Sequence, residues 1–312
     1  MAKHIAVLLG GHSAEREVSL DSGRACAEAL RTKGYEVTEV DAGVPLCKLV
    51  ELLSKQVKPD VIFNALHGRF GEDGCIQGVL NLLNIPYTHS GLLASSLAMD
   101  KAAAKRVFAA HGIKCAEDKI LMQDDLNQGD PLPRPFVLKP VDEGSSVGVR
   151  IVLEGDNQPL SGEGAPDLGI KPSGRVMAEA YIEGREFTVA VMDGKALSVT
   201  EIRPKTGFYD YRAKYTDGIT EHLIPAPIDQ ELWDTLTNQA LTAHEALGCR
   251  GVSRADFRVS FDDDGNHDVY ILEVNTQPGM TALSLVPEQA AHVGVSFPDL
   301  TAWMVENARC DG

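Results

Sequence analysis

Asp256, Glu273 and Asn275 are the side chains of this 312-residue chain best suited to hold a hard cation. Asp256 falls in an alternating run over 252–261, and Glu273 and Asn275 stand two apart in and just beyond a second run over 269–274. Alternation of period two predicts strands. Side chains on a strand alternate faces, so Glu273 and Asn275 share one, and a turn over 262–266 can bring Asp256 beside them. Two carboxylates brought together repel, and a cation between them removes that cost. Oxygen-only donors favour Mg²⁺ over zinc. Taken alone, the stretch also reads as an acidic, solvated hairpin.

Further chemistry-bearing residues sit in loops. The first apolar run, 5–9, ends at Gly10-Gly11 and is followed by Ser13, Glu15 and Ser19. A third glycine in the G-x-G-x-x-G spacing is absent, which argues against a dinucleotide site. Another apolar run, 61–66, ends in His67-Gly68, and Gly71-Glu72-Asp73-Gly74 follows. Lys139 closes the run 136–140, ahead of Glu143-Gly144-Ser145-Ser146-Val147-Gly148, a loop rich in backbone N–H groups that suit a phosphate. The same residues match G-x-S-x-G around Ser146, but that serine-hydrolase elbow needs a following helix, and 147–152 is apolar and β-branched. The stretch 204–215 is aromatic and basic without a clean period, which suits a lid better than a core strand, with a plain surface loop as the alternative. Asp262-Asp263-Asp264-Gly265 lacks EF-hand spacing and reads as a turn.

These residues need elements to hold them. Strand, loop, helix over 18–33 and strand over 35–40 predict a parallel α/β opening, whose carboxyl edge is where ligands bind. Helices are expected over 75–83, from about 100 to 111, over 232–247 and over 297–307, and strands over 85–88, 136–140, 147–153, 175–182 and 186–191. The Gly, Pro and Ser content of 155–174 predicts a long surface loop.

Composition narrows the class. The chain is 44 % hydrophobic and 24 % charged, an ordinary globular balance, and long enough for two or three domains. No apolar run approaches the roughly 20 residues that span a bilayer, and the N-terminus reads as a strand, not a signal peptide. The six cysteines form no C-x-x-C pair, so free thiols in a reducing cytoplasm are expected. A net charge of −16 argues against nucleic acid, though local cations can still hold a small anion.

In order and completeness these motifs resemble the ATP-grasp ligases, in particular those that join two D-alanine molecules. The resemblance is carried by Leu8-Leu9-Gly10-Gly11 with Ser13 to Ser19, Ala65-Leu66-His67-Gly68 with Gly71 to Gly74, Met99-Asp100-Lys101, Lys139-Pro140 with 143–148, Phe208 to Tyr211 with Lys214-Tyr215, Arg254-Ala255-Asp256, and Glu273 to Thr276 with Pro278 to Thr281 and Ser284-Leu285. It implies a three-domain α/β fold, divided here as 1–95 (N-terminal parallel sheet), 96–183 (central ATP-grasp) and 184–312 (C-terminal ATP-grasp). The implied reaction phosphorylates one D-alanine carboxylate with ATP, after which a second D-alanine amine attacks the acyl phosphate.

The resemblance also implies roles. Asp256, Glu273 and Asn275 would hold two Mg²⁺, with Glu273 bridging and Mn²⁺ an alternative. Lys101, Lys139 and Lys214 would contact phosphates; Glu179, Ala180, Tyr181 and Ile182 would meet adenine, with Phe208 and Leu272 completing the nucleotide site, and Glu186 would take the ribose. Glu15 would hold the first D-alanine's ammonium, linked to Ser145 and Tyr215, and His67 would join the substrate contacts. Arg254 and the Gly279 N–H would form the oxyanion site. Ser284 and Leu285 would receive the second D-alanine's carboxylate. Tyr215, where D-lactate-using relatives typically carry His, favours D-alanine as second substrate. A homodimer follows from the same resemblance, and a cytoplasmic location is the expectation from the missing membrane span and signal peptide.

One departure lies in the central domain. Relatives usually carry helices within 118–134 and 152–176, whereas here the first segment is short and the second is the Gly/Pro-rich loop. Two rivals remain at this point: a ligase for other amino or hydroxy acids, and a nucleotide-binding regulatory module without catalysis. The second predicts gaps in the catalytic set, and none is found.

Overall fold

The computed structural model describes every residue except 1, 145–147, 163–164, 166–173, 205–219, 282–283 and 312. Three sheets organise it. The first is parallel, in the order β2-β1-β3, with β1 at His4–Leu9, β2 at Glu36–Asp41 and β3 at Val61–Asn64. Helix α1 (Arg16–Thr32) joins β1 to β2 and buries Val18, Ser22, Cys26 and Leu30, four residues apart along one face. Gly23 on that face is required by close packing, since a Cβ there would sit 2.5 Å from the Cβ of Leu9. Helix α2 (Leu46–Glu51) runs on into a π-helical turn, Leu52–Val57, ended by left-handed Lys58 at φ 47°.

Helices α3 (Cys75–Leu83), α4 (Leu92–Met99) and α5 (Lys101–Ala110) lead to the second sheet. Asp100 caps α5 by accepting from the Ala103 N–H at 2.9 Å, so Lys101 opens the helix. The second sheet is antiparallel, β4-β7-β5-β6, built from β4 (Asp118–Met122), β5 (Phe136–Pro140), β6 (Arg150–Val152) and β7 (Arg175–Ala180). The third is also antiparallel, β10-β9-β8-β11-β12, with β8 at Arg185–Met192, β9 at Lys195–Pro204, β10 at Thr220–Leu223, β11 at Val252–Phe261 and β12 at His267–Asn275. Helices α6 (Gln230–Ala246), α7 (Leu285–His292) and α8 (Phe297–Glu306) complete the chain.

The third sheet is covered on both faces, which explains the almost unbroken burial of β8. One apolar cluster packs Phe187, Phe257 and Val259 against Leu236 of α6 and Phe108 of α5. A second gathers Ala190, Met192 and Val252 with Val286 of α7, Leu300 and Met304 of α8, and Ile5, Val7 and Leu30 of the first sheet and its helix. This shared core fixes the first and third sheets relative to each other.

Several elements differ from expectation. Residues 85–88 form no strand of their own; Tyr87 makes an isolated parallel bridge to Ile62 and an antiparallel one to Arg309. Between 118 and 134, as the short segment led one to expect, there is no α-helix but β4 and a 3-10 turn at Gln123–Gln128. Strands β4, β9 and β10 and helices α2, α4 and α7 lie outside the sequence-based assignments; all but β9, a ten-residue interior strand, are short or edge elements. Within the expected loop 155–174, the described residues carry no helix or strand.

Candidate active site

Strands β11 and β12 form the anticipated hairpin, closed by a turn in which the Asp262 N–H donates to the Asn266 carbonyl at 3.0 Å. Asp256 stands directly opposite Glu273, and Arg254 opposite Asn275. A register shift beside Asp256 pairs Phe257 with Ile271 and leaves Leu272 as the extra residue of a bulge. The bulge keeps Glu273 in line with Asp256 while the rest of β12 stays in register.

Asp256 is buried and heavily bonded. Arg254 donates to it twice, Nε to Oδ1 at 2.9 Å and Nη2 to Oδ2 at 2.7 Å, and Thr188 Oγ1 donates to Oδ1 at 2.6 Å. With Glu273 opposite it and the Asn275 amide oxygen nearby, Asp256 belongs to a hard, all-oxygen donor set of the kind that suits Mg²⁺. Among the described residues, no group of three or more His, Cys, Asp and Glu side chains is arranged for a metal.

A cleft opens in front of the hairpin. It brings together Glu15, His67, Lys101, Arg254, Glu273, Asn275, Gly279, Ser284 and Leu285, contributed by all three parts of the chain. The Lys101 Nζ donates to the Glu143 carbonyl at 2.5 Å, and its own N–H to the Val141 carbonyl at 3.0 Å, which joins the start of α5 to the loop after β5.

The loop 67–74 is held against the hairpin by a buried amide network. Asn64 Nδ2 donates to Gln277 Oε1 at 2.6 Å and to the Gly71 carbonyl at 3.0 Å. The Gln277 amide also donates to the Leu66 carbonyl, and the Gln277 N–H donates to Asn275 Oδ1 at 2.9 Å. One glutamine thus ties the end of β12 to the end of β3. Ser13 Oγ donates to the His67 carbonyl at 2.6 Å, binding the Glu15 loop to the same place. Gly68 is needed there, because at its φ of 68° a Cβ would lie 2.6 Å from Glu15 Oε2.

Glu72, Glu143 and Thr276 also line the cleft and had no assigned role. The Gly68 N–H donates to Glu72 Oε1 at 2.9 Å. Removal from water and then the neighbouring Glu15 push the Glu72 carboxyl up to about 8. Burial, reinforced by Arg254, holds the His67 imidazole down at about 4, so it is neutral at ordinary pH. The glycines around Glu72 were a sequence signal of a built loop, but nothing local gave its distance from Glu15.

The other expected nucleotide contacts sit apart from this cleft. The Glu179 side chain is turned into a buried cluster, where Lys139 Nζ donates to Oε2 at 2.5 Å and Lys105 Nζ to Oε1 at 2.8 Å. Ala180, Tyr181 and Ile182 follow at the end of β7. Arg258 of β11 donates to the Ile182 carbonyl at 3.2 Å, lies over the Tyr181 ring at 5.7 Å and pairs with Glu186 at 3.4 Å. Second and third sheets meet at these contacts. Ser284 Oγ accepts from the Thr281 N–H at 2.9 Å. Ser145, Phe208, Lys214 and Tyr215, and with them most of the expected lid, lie outside the described residues.

Comparison with known proteins agrees with this geometry. Models of the D-ala D-ala ligase N-terminus and C-terminus match residues 46–90 and 108–306. The D-alanine–D-alanine ligase of Paramagnetospirillum magneticum is 55 % identical over 312 residues, covering 100 % of both chains. That of Acidiphilium cryptum is 56 % identical over 308 residues, covering 99 % of each. The crystal structure of the Bacillus anthracis D-alanine–D-alanine ligase complexed with ATP superposes with a TM-score of 0.79 at 33 % identity, covering 98 % of this chain and 96 % of that one. Composed of a parallel N-terminal sheet and two antiparallel sheets around this cleft, the chain belongs to the D-alanine–D-alanine ligase family of ATP-grasp enzymes.

Proposed function

We propose that this chain is an ADP-forming ligase that uses ATP to join two D-alanine molecules into D-alanyl-D-alanine for peptidoglycan synthesis. The observation that carries this reading is the single cleft gathering Glu15, Lys101, Arg254, Glu273, Asn275, Gly279 and Ser284. In the first step the γ-phosphoryl group moves from ATP to a carboxylate oxygen of one D-alanine, and ADP leaves. In the second, the amine of the other D-alanine attacks the acyl carbon; the new C–N bond replaces the C–O bond to phosphate, which departs with the electron pair while the amine loses its proton.

Each role suits the chemistry of the residue that fills it. Glu15 is buried and acidic, as an ammonium partner must be, and Ser145 and Tyr215 are its assigned hydrogen-bonding companions. Arg254 and the Gly279 N–H face the acyl carbon and stabilise the oxyanion. Ser284 and Leu285, at the start of α7, take the second carboxylate, where the helix N-terminus favours negative charge. Lys101, Lys139 and Lys214 contact the phosphates, Glu179 to Ile182 with Phe208 and Leu272 border the adenine, and Glu186 takes the ribose. Asp256, Glu273 and Asn275 would hold Mg²⁺, or Mn²⁺, whose charge neutralises the transferring phosphoryl group.

The division into 1–95, 96–183 and 184–312, a homodimer and a cytoplasmic location belong to the same reading. Among the described residues no helix is long and apolar enough to cross a membrane, and all six cysteines are free. Phosphate release with ATP and Mg²⁺, measured with and without D-alanine, tests the reaction. Release that depends on D-alanine is expected, and its absence overturns the proposal. D-Lactate in competition tests the second substrate; a preference for it at neutral pH would remove D-alanine from that site.

A further inference from the structure

Lys105 lines no part of the cleft and has no place in the reaction described above, yet its ammonium is fully bonded. It lies on α5 one turn after Lys101, and its side chain is only 7 % exposed. Its Nζ donates to the Ala116 carbonyl at 2.7 Å, to Glu179 Oε1 at 2.8 Å and pairs with Asp118 Oδ1 at 2.7 Å, which uses all three ammonium protons. The opposite oxygen of Glu179 accepts from Lys139 at 2.5 Å. Asp118 and Glu179 face each other across β4 and β7, so the sheet register itself sets the acidic half of the cluster. Burial pushes the Glu179 carboxyl up, but Lys139 and Lys105 outweigh it and hold it below its usual range.

We propose that Lys105 is a positioning residue for ATP: it holds Glu179 from behind, so that Glu179 orients the Lys139 ammonium and the cluster presents no net negative charge to the phosphates. The inference rests on the proposed reading of Lys139 as a phosphate contact. Two lysines and two carboxylates sum to zero. Without Lys105 the sum is −1 beside the place where a triphosphate must sit, and Glu179 is left to Lys139 alone. Buried ion clusters add little to stability compared with apolar packing, so binding is the property this one serves.

Lys105→Met is expected to raise KM for ATP about ten-fold, with kcat and the D-alanine KM changed less than about two-fold. Lys105→Arg, which keeps the charge, should recover most of the loss. Adding Asp118→Asn to Lys105→Met returns the sum to zero while leaving Glu179 on Lys139, and should lower the ATP KM again, a rescue that lost packing would not show. Should Lys105→Met fail to fold, Asp118→Asn takes its place: it leaves the sum at +1, and the ATP KM should fall about two- to three-fold. An unchanged ATP KM in Lys105→Met, no rescue when Asp118→Asn is added to it, or an unchanged or raised ATP KM in Asp118→Asn alone overturns the inference. Lys139→Met is the reference. If it leaves the ATP KM unchanged, the phosphate role of Lys139 fails; if it raises that KM and Lys105→Met does not, the positioning role alone fails.

Discussion

Arg254 grips Asp256, two residues along the same strand, through two parallel hydrogen bonds of 2.9 and 2.7 Å. Residues two apart on a strand share a face, so the guanidinium and the carboxylate lie side by side at the cleft edge. The pairing fixes the Arg254 side chain before any substrate arrives and costs little reorganisation during reaction. Arg254→Lys removes the two-pronged geometry while keeping the charge. We expect kcat to fall about 10²- to 10³-fold with the melting temperature nearly unchanged. Steady-state kinetics beside thermal denaturation check this, and near-normal kcat would take Arg254 out of the oxyanion site.

Glu273 stands across from Asp256 in the hairpin register and lines the cleft. Glu273→Gln keeps its size and removes its charge. Turnover should vanish while the melting temperature stays within about 2 °C, because a half-buried isostere disturbs little packing. Retained turnover at saturating Mg²⁺ would refute the metal assignment.

Gly279 has no room for a side chain. A Cβ there would lie 2.9 Å from Ser284 Oγ, which is already engaged by the Thr281 N–H. Gly279→Ala must therefore move Ser284 away from the carboxylate it is assigned. The KM for the second D-alanine should rise about ten-fold, with the ATP KM unaffected. Equal changes for both substrates would point to a general distortion instead.

Glu72 makes a prediction about pH. Its carboxyl is raised in the folded protein to about 8, against an ordinary value of 4.5. Between those values the folded chain keeps a proton that the unfolded chain has lost, so stability falls as pH rises through this window. Glu72→Gln removes the proton equilibrium. Relative to the unaltered protein, the variant should gain melting temperature steadily from pH 5 to pH 8 in the absence of ATP and metal. A constant difference across that range would show that Glu72 is ionised like an ordinary carboxylate.

The candidate metal hairpin was legible in the sequence because everything that makes it is local. Alternation over 252–261 and 269–274 and a turn rich in Asp, Gly and Asn set two strands in register, and the helix 75–83 was legible for the same reason. Short edge strands such as β10 carry too few residues for a period to emerge. The linkages across the site are of another kind. Gln277 reaching Asn64, Glu72 settling near Glu15, and Lys105 meeting Glu179 join residues far apart in the chain. No spacing encodes such contacts. They exist because the first and third sheets share one apolar core and α5 lies against both antiparallel sheets, and packing at that scale is settled only in the folded chain. By itself the sequence determined the strands, the turn and the residue types of the site; the tertiary structure decided which charges face one another, because burial and distance, not order along the chain, set their energies.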